Sequence, residues 1–120
     1  MTLIQFEQAV LQTDFILALG NFIDAFSLAC DKAKLLSEPS DFKSLNNQQK
    51  ALFAATCESL CNQFNISIPD WLNNKEFFLL EPFYQFNTQD DEYKKYLKES
   101  APIEFSKRNL YFDSNCIARA

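Results

Sequence analysis

Residues 14–36 read DFILALGNFIDAFSLACDKAKLL, and the fold turns on how this stretch is read. Phe15, Leu19, Phe22, Ile23, Phe26, Cys30, Ala33 and Leu36 recur at spacings of three and four. That is one face of an α-helix held over roughly six turns. Asp24, Asp31, Lys32 and Lys34 fall mostly on the other side. Thr13 or Asp14 offers the N-cap, since a short side-chain oxygen satisfies a first-turn N–H. Gly20 sits inside the pattern, costs about 1 kcal/mol relative to Ala, and marks either a close helix crossing or a break.

Working outward, Thr2 can cap a short first helix from Leu3 to about Leu11. On the other side, 37–41 reads Ser-Glu-Pro-Ser-Asp and is a loop, because Pro39 disfavours helical geometry at Glu38. Phe42 and Leu45 are expected to pin that loop to the core. Asn46 or Asn47 then caps a second long helix running to about Phe64, with Leu52, Phe53, Thr56, Cys57, Leu60 and Phe64 on its apolar face. Two long helices joined by a short loop are expected to pack as an antiparallel pair.

Beyond Asn65 the pattern changes. Ile66 to Phe86 carries Pro69 and Pro82 among Trp71, Phe77, Phe78, Leu79, Leu80, Phe83 and Tyr84. It reads as irregular chain with one or two helical turns, wrapped over the pair. Those aromatics either line a peptide or ligand groove or fill a small core, and core filling is favoured. Thr88 is the expected cap of a last clear helix, Gln89 to about Ser100, with Asp90–Lys94 and Asp91–Lys95 at i,i+4 spacing. Pro102 ends it or starts a further turn, and Ser114 caps a final turn carrying Ile117.

The expectation is a mostly all-α fold, one helical domain over residues 1–120, closed by a C-terminal turn or short extended piece. A chain of 120 residues buries roughly two thirds of the surface its unfolded form exposes. With 13 Phe it has no character of a disordered segment, and with one Gly it is poor in hairpin turns. No run reaches the ~18 apolar residues of a membrane span, and the start carries no cationic leader, so a cytoplasmic protein is expected.

Composition also bears on chemistry. The chain has no His, which removes the commonest general base and the usual Ser–His and Cys–His pairings. A lone Gly forms neither a Walker loop nor a dinucleotide fingerprint. The chain is therefore read as non-enzymatic, with no cofactor. Cys57 and Cys61 share a helix face, and a four-thiolate metal site would also need Cys30 and Cys116. The favoured reading is that these are small buried apolar residues and no metal is held.

The net charge of −5 repels nucleic-acid phosphates and suits a basic protein partner. Six of the 11 basic residues, Lys94, Lys95, Lys98, Lys107, Arg108 and Arg119, gather towards the end of the chain. Beside Tyr111 and Phe112 they form a corner that could stack on bases. A solvated helix face is preferred to that reading.

The ending adds a resemblance. Residues 100–112 read Ser-Ala-Pro-Ile-Glu-Phe-Ser-Lys-Arg-Asn-Leu-Tyr-Phe, and the chain closes on Asn115 to Ala120. This resembles the ending of small bacterial helical proteins, antitoxin- or regulator-like, often encoded beside a nucleotidyltransferase-like protein. Ile68-Pro69-Asp70-Trp71 and Glu81-Pro82-Phe83 resemble further elements of that group. The resemblance implies a protein partner, a toxin encoded next to the chain, and makes Phe105, Lys107, Arg108, Asn109 and Arg119 the residues that would contact it. A DNA-binding regulator using the basic C-terminal corner is the alternative. Arg108 is expected to pair with a carboxylate, Glu81 or Asp113 within the chain or one on the partner, and the internal pair is favoured.

Overall fold

A computed structural model describes residues 3–12, 14–36 and 45–113, the side chains at 4, 7, 11 and 12 excepted. The expectations placed on Thr2, Thr13, Phe42, Ser114, Cys116, Ile117 and Arg119 lie outside these residues. Among the described residues the chain is mostly helical. It has α1 (Leu3–Gln12), α2 (Phe15–Leu28), α3 (Lys32–Leu35), α4 (Asn47–Gln63), α5 (Asp91–Ser100) and α6 (Ile103–Ser106). Two dipeptides, β1 (Phe83–Tyr84) and β2 (Leu110–Tyr111), pair in parallel. No helix among the described residues is long and apolar enough to cross a membrane.

The long helix read over 15–36 is in fact two. Asp14 caps α2 by accepting from Ile16 N, but the helix stops at Ala29, whose backbone is extended. Asp31 is the reason. Its carboxylate accepts from Lys34 N at 3.2 Å and starts α3, a local bond that competes with continuing the helix. Lys32 Nζ donates to Ala29 O at 2.9 Å and holds the break. Gly20 lies within unbroken α2 and is buried. Cys30, on the broken turn, is exposed.

The Asn46 cap holds as read. Asn46 and Gln49 each accept from the other's backbone N–H, at 2.8 and 3.0 Å, closing a capping box. Beyond it, Ala51 to Glu58 is buried without interruption, as are Leu60 and Cys61. A helix buried on nearly all sides is the centre of its domain. Small Ala51, Ala54 and Ala55 let neighbours approach it closely. Its heaviest packing is on α6 and on the turn Lys75–Phe77, and it touches α2 more lightly. The organising unit is thus one central helix rather than a symmetric pair. Phe6 joins α1 to it, stacked on Phe53 at 4.4 Å with Phe22 edge-on at 5.6 Å.

Residues 66–90 are irregular chain punctuated by 3-10 turns at Asp70–Asn73, Lys75–Phe77 and Gln85–Asn87. Leu72 and Phe77 are fully buried from it, and Trp71 Nε1 donates to Leu36 O at 2.8 Å, tying the wrap to the end of α3. Asp90, not Thr88, caps α5, accepting from Glu92 N and Tyr93 N. With Asp90 so engaged, Lys94 lies over the ring of Tyr84 instead of pairing with it.

Candidate functional site

Four of the five residues singled out in the ending are described, and they act together. Pro102 opens α6 and Phe105 is buried against the core. The following turn places Arg108 under α4, where its side chain is completely buried. A buried guanidinium needs a partner, because an isolated charge out of water is costly. The partner is Glu58, whose Oε1 accepts from Arg108 Nη2 at 2.9 Å. Nη2 also donates to Leu72 O at 3.0 Å and Nη1 to Glu104 O at 2.8 Å. The guanidinium faces the ring of Phe78 at 4.9 Å. Nε is buried and has no hydrogen-bond partner among the described residues.

Glu58 corrects the sequence reading, which named Glu81 and Asp113. Glu81 is exposed at the wrap, and Asp113 Oδ2 accepts from the Tyr96 hydroxyl at 2.7 Å. That bond, and the nearby charge, raise the Tyr96 phenol above its usual range. One signal in the sequence did point to Glu58: it is the sole charged residue between Ala51 and Cys61 on a helix otherwise apolar or small.

Lys107 joins the cluster from the rim, its Nζ 2.6 Å from Glu58 Oε2 with 36 % of the side chain exposed. Asn109 adopts a left-handed backbone, φ 63°, which Asn tolerates better than most residues. Its Nδ2 donates to Leu79 O at 2.8 Å. Backbone bonds from Leu79 N to Arg108 O and from Phe83 N to Asn109 O complete the seam. Arg119 lies outside the described residues.

Cys57 and Cys61 flank Glu58 in α4. Burial raises the Cys57 thiol well above its usual range, with Cys61 adding to the rise and Arg108 opposing it. Burial also pushes the Cys61 thiol up to about 11. Both are therefore thiols at neutral pH and poor nucleophiles.

The seam has a second consequence. Beyond Asn109 it presents Leu110 and Phe112, with Phe83, as one wall of a hollow of about 490 Å3. Phe15, Leu19 and Ile23 of α2 and Leu52 of α4 line it as well. Gly20 lines it too, so the missing side chain leaves space rather than a helix crossing. At the rim, Ile16 is 60 % and Phe86 81 % exposed. Phe86 holds φ 60°, ψ 14°, a conformation that costs a non-glycine residue ~1–2 kcal/mol. Asn46, Gln48, Gln49 and Gln85 supply the polar edge. A second hollow of about 360 Å3 adjoins the first, sharing Gln48 and Phe83 and carrying Glu81.

Comparison with known protein families, with curated proteins and with solved structures finds no match.

Proposed function

We propose that this chain is a non-enzymatic protein-interaction module, the antitoxin-like partner of a nucleotidyltransferase-type toxin encoded beside it. The observation that carries the reading is the apolar cleft between α2 and the C-terminal seam, edged by exposed Ile16 and Phe86. Clefts of this volume with mainly apolar walls and a few polar groups are where proteins bind other molecules. The resemblance of the ending supplies the kind of partner, and the net charge of −5 favours a basic one.

The regulator alternative asks Lys107 and Arg108 to meet phosphates. Arg108 is buried on Glu58 and Lys107 leans on the same carboxylate, so the corner offers less positive charge than its sequence implies.

Co-expression of the chain with the product of the neighbouring gene tests the reading. A stoichiometric complex, and relief of any growth arrest caused by that product alone, are expected. Separate elution of the two proteins, with arrest unrelieved, defeats it. Retardation of DNA that weakens steeply with salt would favour the regulator instead.

A further inference from the structure

We propose that the two adjoining hollows form one docking cleft for an extended, apolar peptide segment of the partner, with a Lys or Arg at the end that lies over Glu81. The inference deepens the reading of the chain as an interaction module and rests on it.

Charge is the first argument. None of the described residues lining the larger hollow is charged, whereas those of the smaller one include a single charged residue, exposed Glu81. The two share Gln48 and Phe83, so one occupant can cross from a neutral apolar chamber to a carboxylate. Apolar side chains suit the first part and a cation the second.

The polar edge argues for an extended backbone. Asn46 Oδ1 accepts from Gln49 N, Gln49 Oε1 from Asn46 N, and Gln85 Oε1 from Asp113 N. Each oxygen has one hydrogen bond already, whereas the NH2 groups of the three side chains are the donors they add to this edge. An occupant with carbonyl acceptors along its length suits that edge. An α-helix keeps its interior carbonyls for its own ladder, while an extended segment presents carbonyls to its surroundings, as peptides adding to a sheet or groove do.

Two features keep the cleft open. Gly20 withholds a side chain from the α2 wall, at a position where Ala would favour the helix by about 1 kcal/mol. Phe86 is held out at the rim by a left-handed backbone, the kind of strain that gathers at ligand clamps.

The test uses the purified chain and a phage library of random nine-residue peptides, followed by anisotropy titration of a fluorescein-labelled selected peptide. Selected peptides should carry apolar residues at alternate positions and a Lys or Arg at one end. Ile16→Glu and Phe86→Ala change exposed side chains, so they leave the fold intact, and each should weaken binding roughly tenfold or more if the side chain becomes an anchor buried by the peptide. Glu81→Lys should turn the terminal preference from basic to acidic. No enrichment, binding indifferent to these variants, or selected sequences with apolar residues at i, i+3 and i+4 overturns the proposal. So does sedimentation showing that a second copy fills the cleft through Phe86. A partner that co-purifies equally with wild type and with the rim variants overturns the cleft while leaving the interaction module standing. Peptide binding with the expected pattern, where the neighbouring gene product fails to bind, supports the cleft and removes only that partner.

Discussion

Replacing Arg108 with methionine removes the centre of the buried cluster while keeping most of its volume. Three hydrogen bonds are lost, to Glu58 Oε1, Leu72 O and Glu104 O. Breaking a buried ion pair from one side typically costs about 3–5 kcal/mol, because the other charge stays desolvated. One term offsets this: the buried, unpartnered Nε disappears, and such a group costs about 1–3 kcal/mol. Lys107 remains near Glu58, but a third-exposed lysine contributes no more than about 1 kcal/mol. The net expectation is a loss of about 2 kcal/mol, a sizeable part of the 5–15 kcal/mol that holds a domain of this size. Adding Glu58→Met removes the stranded carboxylate but leaves the Leu72 and Glu104 carbonyls without their donor. The double variant should therefore regain about half the loss, and it should lose less than the two single variants summed by more than about 1 kcal/mol. Urea unfolding followed by circular dichroism at pH 7 measures all four corners of the cycle. A single-variant loss below about 1 kcal/mol, or losses that simply add, would refute the reasoning.

Further outcomes are expected. Asn109→Gly keeps the left-handed backbone but loses the bond to Leu79 O, whereas Asn109→Ala loses both, so the alanine variant should melt lower, by about 1 kcal/mol in stability. The Cys57 and Cys61 thiols lie above their usual range in the fold, Cys61 at about 11 against 9.0. A raised folded value means the folded state holds its protons longer, so stability is full below pH 9 and falls as pH climbs towards 11. Cys57→Ala with Cys61→Ala should flatten that fall in urea midpoints measured across the window. Asp113→Asn removes the group that raises the Tyr96 phenol, and phenolate absorbance should show one tyrosine ionising at lower pH than in wild type. An unchanged titration would mean the Tyr96–Asp113 bond does not persist in solution.

The parts of the fold legible in the sequence are those set by neighbours in the chain. The α4 start was readable because Asn46 and Gln49 sit three apart and cap each other. The stop before Pro102 was readable for the same reason, whereas the cap of α5 was not, Asp90 taking the place of Thr88. The break at Ala29 was not, since the apolar period runs straight through it and only the carboxylate of Asp31 overrides the period. Glu58 was missed as the partner of Arg108 because it is 50 positions away, and a carboxylate in a helix reads as solvent-facing unless its neighbours are weighed all round the axis. The cleft was legible only as a possibility in the aromatics of the wrap. A hollow is space left where α2, α4 and the C-terminal seam fail to fill one another, and no single stretch encodes that.

Placing the ending against the core divides its residues by what they do. Phe105 and Arg108 are buried and cannot meet a partner without unfolding the seam. Lys107 is half committed to Glu58. Leu110 and Phe112, by contrast, come to the wall of the cleft, carried there by the bonds of 79 to 108 and 83 to 109. Arg108 thus acts on any occupant only through the position of that wall. Its loss should lower the affinity of a cleft-bound peptide in proportion to the fraction of seam that opens, and the loss should shrink where stabilising conditions, such as sulfate or an osmolyte, close the seam again. A direct contact residue such as Phe86 gains nothing from those conditions. That difference separates a residue that builds a binding surface from one that belongs to it.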